Sequence, residues 1–171
     1  MPTIYRRVTS PLGELLLTAS DTALTAVYFP TSRHDGRDDR SAWQEDRGQA
    51  PASAVLDRVT QQLSEYFNWS RATFDLPLDP LGTTFQRRVW ELLRRVPYGA
   101  TTSYGDLARR LGDPRATRAV GAANGKNPIP IIVPCHRVIG SRGELTGFGG
   151  GIERKRWLLE HEGALIPLGA S

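Results

Sequence analysis

Cysteine occurs once in this chain of 171 residues, methionine once and lysine twice. A single cysteine excludes an intrachain disulfide framework and any metal site built on several thiolates. Cys135 is therefore either a small buried hydrophobe or a reactive thiol, and composition leaves both open. No segment approaches the roughly 20 consecutive apolar residues of a membrane-spanning helix, and the opening MPTIYRRVTS lacks the long apolar stretch of a signal peptide. No membrane partner and a cytoplasmic location are the expectations. What is present suits a globular chain: 39% of residues are apolar and 23% charged, enough for a real core in one or two small domains.

Lys126 and Lys155 are the only lysines among 22 basic residues, so arginine carries nearly all the positive charge. The formal net charge of +4 is unevenly spread. Residues 1–80 hold 8 Arg against 11 Asp plus Glu, a net of −3; residues 81–171 hold 14 basic against 7 acidic residues, a net of +7. Such asymmetry suits an acidic, elongated partner such as nucleic acid, and it also arises from an arginine-rich genome. Charge alone does not choose between them.

Along the chain, IYRRVTS, GELLLTAS and ALTAVYF read as three strands separated by SPLG and SDTA turns, an antiparallel meander. Residues 31–52 are polar and nearly without aliphatics, which predicts a mobile loop. SAVLDRVTQQLSEYFNW spaces Val55, Leu56, Val59, Leu63, Tyr66 and Phe67 as a helix behind Ser53 as N-cap, and ATFDLPL reads as a short strand. TTFQRRVWELLRRVPYG then aligns Phe85, Val89, Leu92, Leu93 and Val96 on one stripe behind a threonine cap. SYGDLARRLG ends at Gly112, and DPRATRAVGAANGKNP starts a further helix at Asp113 or Pro114. Two short helices across a glycine turn make a helix-turn-helix pattern, which many helical hairpins share. The second helix is rich in Ala116, Ala119, Gly121, Ala122, Ala123 and Gly125. It suits close packing inside the protein or, with Arg109, Arg110, Arg115, Arg118 and Lys126, a phosphate backbone. IERKRWLLEHEG closes the pattern as a helix ended by Gly163.

The lone cysteine lies in NPIPIIVPCHRVIG. A free thiol is only a few per cent thiolate at neutral pH, so a nucleophilic cysteine needs a base or a positive charge beside it. His136 and Arg137 follow it directly. Neighbours on a strand point to opposite faces, so one site can use both only if the chain bends at Pro134. An aliphatic run broken by P-C-H-R reads as an exposed, held loop.

NPIPIIVPCHRV, the TTFQRRVW, VPYG and SYGDLAR blocks, and GFGGGIERKRWLLEHEG together resemble the O6-alkylguanine-DNA alkyltransferases, over about residues 80–165. The resemblance implies an α/β N-terminal domain (1–80, ribonuclease H-like, an antiparallel sheet plus helix) and a mainly α C-terminal domain (81–171) with a winged-helix-like helix-turn-helix. It implies that Cys135 accepts the alkyl group, that His136 passes the thiol proton through water to Glu162, that Asn127 pins the turn and that Tyr104 gives a proton to the departing guanine. Spacing alone leaves Glu144, Glu153 and Glu160 equal to Glu162. Arg118 matches a finger that enters the base stack, with Ala119, Gly121, Ala122, Arg115 and Lys126 on the DNA-binding side; Tyr104, Pro130, Val138, Phe148 and Gly149 match the substrate pocket. Phe148 stands where many relatives have tyrosine, and Gly149 where serine is common. The family contact at Gly149 is a backbone N–H, which glycine retains. Some relatives hold structural zinc on N-terminal cysteines; this chain has none there, so no metal is expected, and no cofactor.

The implied activity is direct reversal of damage in alkylated double-stranded DNA, once per molecule, by a monomer, with clustering on DNA left open. Rival readings are a non-catalytic protein that binds alkylated DNA, an alkylation-responsive helix-turn-helix regulator and a cysteine hydrolase. Cys135 counts against the first, the lack of a second DNA-binding domain or sensor cysteine against the second, and the lack of separate evidence for an oxyanion hole against the third.

Overall fold

The computed structural model describes residues 2–30 and 39–166. These form two compact units, residues 1–81 and 82–171.

In the first unit, β1 (Ile4–Ser10), β2 (Gly13–Ala19) and β3 (Leu24–Tyr28) form the antiparallel meander, with β2 in the middle. Alternation in β2 sends Leu15, Leu17 and Ala19 into the core. Helix α1 (Pro51–Phe67) covers that face with Val55, Leu56, Val59, Leu63 and Tyr66, all buried.

Three expectations need correction here. The span 31–52 is not one loop: Gln44–Glu45 forms β4, a parallel edge strand on β1, so the sheet is mixed. With no aliphatics, β4 is held from its sides. Arg40 lies 4.8 Å from the ring centres of both Tyr28 and Trp43, and Asp46 receives Arg6 Nε at 3.1 Å. Residues 31–38 of that expected loop lie outside the described residues. Ser53 is not the N-cap of α1. Pro51 sets the first turn, Ala50 caps it, and the Ser53 hydroxyl accepts from the Ala50 N–H at 3.2 Å. ATFDLPL is not a strand beyond a single bridge between Leu24 and Leu78, because the Gln62 side chain takes the place of a neighbouring strand. It donates to the Asp75 carbonyl at 3.1 Å and accepts from the Asp75 N–H at 2.9 Å.

The second unit begins with α2 (Thr84–Leu93), closed at its start by reciprocal bonds between Thr83 and Gln86. Trp90 joins Val89 and Leu93 on its buried face, while Phe85 and Leu92 are only half-buried. The two-residue β5 (Thr102–Ser103) leads into α3 (Tyr104–Arg110), capped by Ser103. Gly112, at φ +84°, turns the chain. The next helix does not start at Asp113 or Pro114 as an α-helix: Pro114–Ala116 is a 3-10 turn held by the Asp113 side chain, and α4 is Thr117–Gly125. The short β6 (Val138–Ile139) pairs in parallel with β5, and α5 (Ile152–His161) follows. Gly163 at φ +76° ends α5 in a Schellman motif, its N–H bonded to Glu160 O and that of Ala164 to Leu159 O.

Candidate active site

The turn that carries the cysteine is opened by one side-chain amide, that of Asn127. Asn127 Oδ1 accepts from the Ile129 N–H at 3.0 Å and its Nδ2 donates to the Val133 carbonyl at 2.8 Å, closing the loop between them. Inside that loop Ile131 is buried at φ +74°, a left-handed conformation that a β-branched residue adopts only under constraint. Pro134 supplies the bend: at φ −82°, ψ 65° it forms an inverse γ-turn, with Cys135 N–H bonded to Val133 O at 2.8 Å. Cys135–Arg137 then make one 3-10 turn, so consecutive side chains no longer alternate across a strand.

The P-C-H-R segment is not exposed. Cys135 is 4% accessible and His136 wholly buried, and the flanking Ile129, Ile132, Val133 and Val138 are buried as well. On α5 the residues 155, 158, 159 and 162 share one helix face by spacing, and Lys155, Leu158, Leu159 and Glu162 are all buried. Glu162 meets the turn. His136 Nε2 lies 2.8 Å from its Oε2, and Arg137 makes a bidentate pair through Nε and Nη2 at 2.8 and 2.9 Å while giving Nη1 to the Val96 carbonyl at 2.7 Å.

Charge states follow from these contacts. Burial alone would raise the Glu162 carboxyl, but bonds from His136 and Arg137 outweigh it and hold the group down at about 2. Burial lowers His136 below its ordinary value against the opposing pull of Glu162. A neutral imidazole beside a carboxylate donates from Nε2, which leaves Nδ1 as an acceptor, and Nδ1 is buried with no hydrogen-bond partner among the described residues. Burial pushes the Cys135 thiol up to about 11, opposed by a hydrogen bond from Asn127 and the charge of Lys155. Lys155, itself lowered to about 8 by burial, donates to the carbonyls of Val138 at 2.5 Å and Thr146 at 2.7 Å. Tyr104 Oη donates to the same Thr146 carbonyl at 3.1 Å. A cation, a phenol and the glycine-rich segment are thereby joined beside the cysteine turn. A Cβ on Gly147 would stand 3.1 Å from Tyr104 Oη, so that segment passes close over the phenol. Phe148 is half-buried, Gly149 exposed near the Gly125 carbonyl, and Pro130 buried in the turn.

Helix α4 turns its small residues outward. Arg118, Ala119 and Ala122 are exposed and Gly121 half-exposed, while Val120, Ala123 and Asn124 face the core. Arg115 and Lys126 are exposed at its two ends. The flat, basic-edged face is therefore available to a partner, as a helix packed within the protein on that side would not be. Among the described residues no three His, Cys, Asp or Glu side chains converge as a metal site, and no helix is long and apolar enough to cross a membrane.

The 6-O-methylguanine DNA methyltransferase DNA-binding domain matches residues 84–164, and the ribonuclease-like domain of the same proteins matches residues 3–80. This chain belongs to the 6-O-methylguanine DNA methyltransferase family. Among curated relatives, the methylated-DNA–protein-cysteine methyltransferase of Mycobacterium tuberculosis is 48% identical over 95% of this chain and 94% of its own length. The constitutive enzyme of that name from Bacillus subtilis is 43% identical over 92% and 94%. The crystal structure of Mycobacterium tuberculosis O6-methylguanine methyltransferase superposes with a TM-score of 0.83 at 46% identity, covering 97% of this chain and 96% of that one. Mycobacterium tuberculosis OGT in complex with DNA gives 0.83 at 45% identity, covering 96% of each chain. Within this methyltransferase, sequence reasoning passed over two buried polar residues that touch the cysteine turn, Lys155 and Asn124, and named Arg137 only as a charge beside the cysteine, not as the partner of Glu162. For Lys155 the signal was in the sequence. It precedes Leu158 and Leu159 by three and four residues, which puts it on their face of the helix.

Proposed function

We propose that this protein reverses alkylation damage in double-stranded DNA, moving the alkyl group from O6 of guanine to Sγ of Cys135 in a single irreversible event. The observation that carries the reading is a buried turn holding Cys135 and neutral His136, with His136 bonded to the ionised Glu162 at the end of α5. The thiol proton passes towards Nδ1 of His136, through a water in the family scheme, while Glu162 stabilises the imidazolium that results. Sulfur then displaces guanine in line: the S–C bond forms as the C–O6 bond breaks, the electron pair stays on guanine, and a proton from the Tyr104 hydroxyl neutralises it. Tyr104 recovers a proton from the pool left by the thiol, so the sum is thiol plus alkylguanine giving thioether plus guanine. A thioether is not hydrolysed, so each molecule acts once.

The small, exposed face of α4 with Arg115 and Lys126 at its ends suits the DNA backbone, and Arg118 suits the gap left by an extruded base. Phe148 and Pro130 would flank the guanine, with Val138 and the Gly149 N–H at its polar edge. All these groups come from one chain, so a monomer suffices. A lone free thiol reserved for alkyl transfer suits the reducing cytoplasm. Incubation with excess O6-methylguanine duplex should add one methyl to the intact protein, on Cys135, and then stop, while Cys135→Ala still binds DNA. Repeated turnover, or repaired DNA with an unmodified Cys135, would sink the reading.

A further inference from the structure

Two asparagines three residues apart stand at the end of α4, and the roles above use only Asn127. Asn124 lies within the helix and is 1% exposed. Its Nδ2 donates to the Cys135 carbonyl at 3.4 Å, and its Oδ1 is buried with no hydrogen-bond partner among the described residues. Only the nitrogen of an amide can face a carbonyl, so the orientation is fixed by this contact. The Cys135 carbonyl also accepts the Val138 N–H that closes the 3-10 turn. Asn124 thus grips the turn at the nucleophile itself, while Asn127 grips it two residues earlier at Val133.

A buried amide with one long bond and an idle acceptor costs stability that an apolar side chain of the same shape would not. Its 3.4 Å separation is about 0.4 Å beyond an ordinary N–H···O bond, slack that closes if α4 shifts inward. The opposite face of the same helix is the exposed one, with Arg118, Ala119 and Ala122. We propose that Asn124 is a positioning residue for alkyl transfer, tying α4 to the Cys135 backbone and setting the angle at which the thiol meets the alkyl carbon. The proposal rests on the alkyl-transfer reading above.

Asn124→Leu keeps the shape and removes the donor. Three quantities test it: the single-turnover rate at saturating O6-methylguanine duplex, the equilibrium affinity for that duplex, and the rate with free O6-benzylguanine, which has no backbone to dock. The expected result is a loss of about three- to tenfold in rate with both substrates, the worth of one hydrogen bond, at unchanged duplex affinity. Unchanged rates in a folded variant overturn the proposal. So does a loss confined to affinity, or one confined to duplex, which would make Asn124 part of base delivery instead. If the leucine variant does not fold, Asn124→Ser, too short to reach the carbonyl yet polar, is read by the same criteria. A wild-type protein that gains no alkyl group on Cys135 overturns the alkyl-transfer reading itself; normal wild-type transfer beside an unaffected variant overturns only this inference.

Discussion

With the Cys135 thiol pushed up to about 11, the resting side chain is protonated and spared from casual electrophiles. Reaction then depends on a base that is neutral when substrate arrives, and His136, lowered by burial and with the Arg137 charge pulling the same way, meets that need. Glu162 serves two masters. It must hold His136 by one oxygen and remain paired with Arg137 by both, so its charge orients the base and also keeps a buried guanidinium from standing alone. Replacing Glu162 by Gln preserves the outline and removes the charge. Transfer should slow by about 10² to 10⁴, the usual worth of general-base assistance, with little change in duplex affinity. Thermal stability should fall at the same time because Arg137 loses its counter-charge. Rapid-quench transfer at saturating duplex and an equilibrium titration separate the two; equal losses in rate and affinity would mean a docking defect and end the relay assignment.

Helix α4 is where sequence and structure divide the argument between them. Its small residues were legible, but which of them face outward was not, since Ala and Gly carry no periodic hydrophobic signal; Val120 alone marks the core side. The strongly periodic elements, β1 to β3, α1 and α2, were legible because burial dictates their pattern. β4 was not, because side chains anchor it: Arg40 over two rings, and Asp46 on Arg6. For the site, motif resemblance named Cys135, His136, Glu162 and Asn127, whereas Lys155 and Asn124 stayed hidden behind the expectation that buried positions are apolar. Arg118 tests the exposed face directly. As a plain phosphate contact, its loss should weaken binding to all duplexes alike and flatten the salt dependence by about one unit. As a filler of the gap left by an extruded base, its loss to Ala should slow repair of a paired O6-methylguanine much more than repair of the same base in a destabilised mismatch, where unpairing costs less. Equal slowing on both substrates would reduce Arg118 to a backbone anchor.

Each of the two units contains a carboxylate paired with an arginine and held ionised by its hydrogen bonds, half-buried Asp46 with Arg6 in residues 1–81 and buried Glu162 with Arg137 in residues 82–171. For Asp46, burial would raise the pKa, but bonds from Ser53 and Arg6 bring it below the ordinary value; Glu162 lies at about 2 against an ordinary 4.5. A carboxyl depressed on folding contributes stability that is complete above its unfolded value and is lost as pH falls through the folded one. For Glu162 that window runs from about 4.5 to about 2, and the full difference corresponds to about 3 kcal/mol. His136 adds to the same trend from a higher pH. Its folded value lies below the ordinary 6.5, so the unfolded chain takes up that proton first and stability begins to drop below about 6.5. Acid should therefore loosen residues 82–171 in two stages and residues 1–81 in one, through different carboxylates. Hydrogen exchange between pH 7 and 3, corrected for intrinsic rates and read by mass spectrometry on peptides from each unit, resolves them. Glu162→Gln should flatten the dependence below pH 4.5 in peptides from 82–171 only, and Asp46→Asn should flatten that of 1–81 only. If either substitution flattens both, the units open together and neither pair governs its own unit.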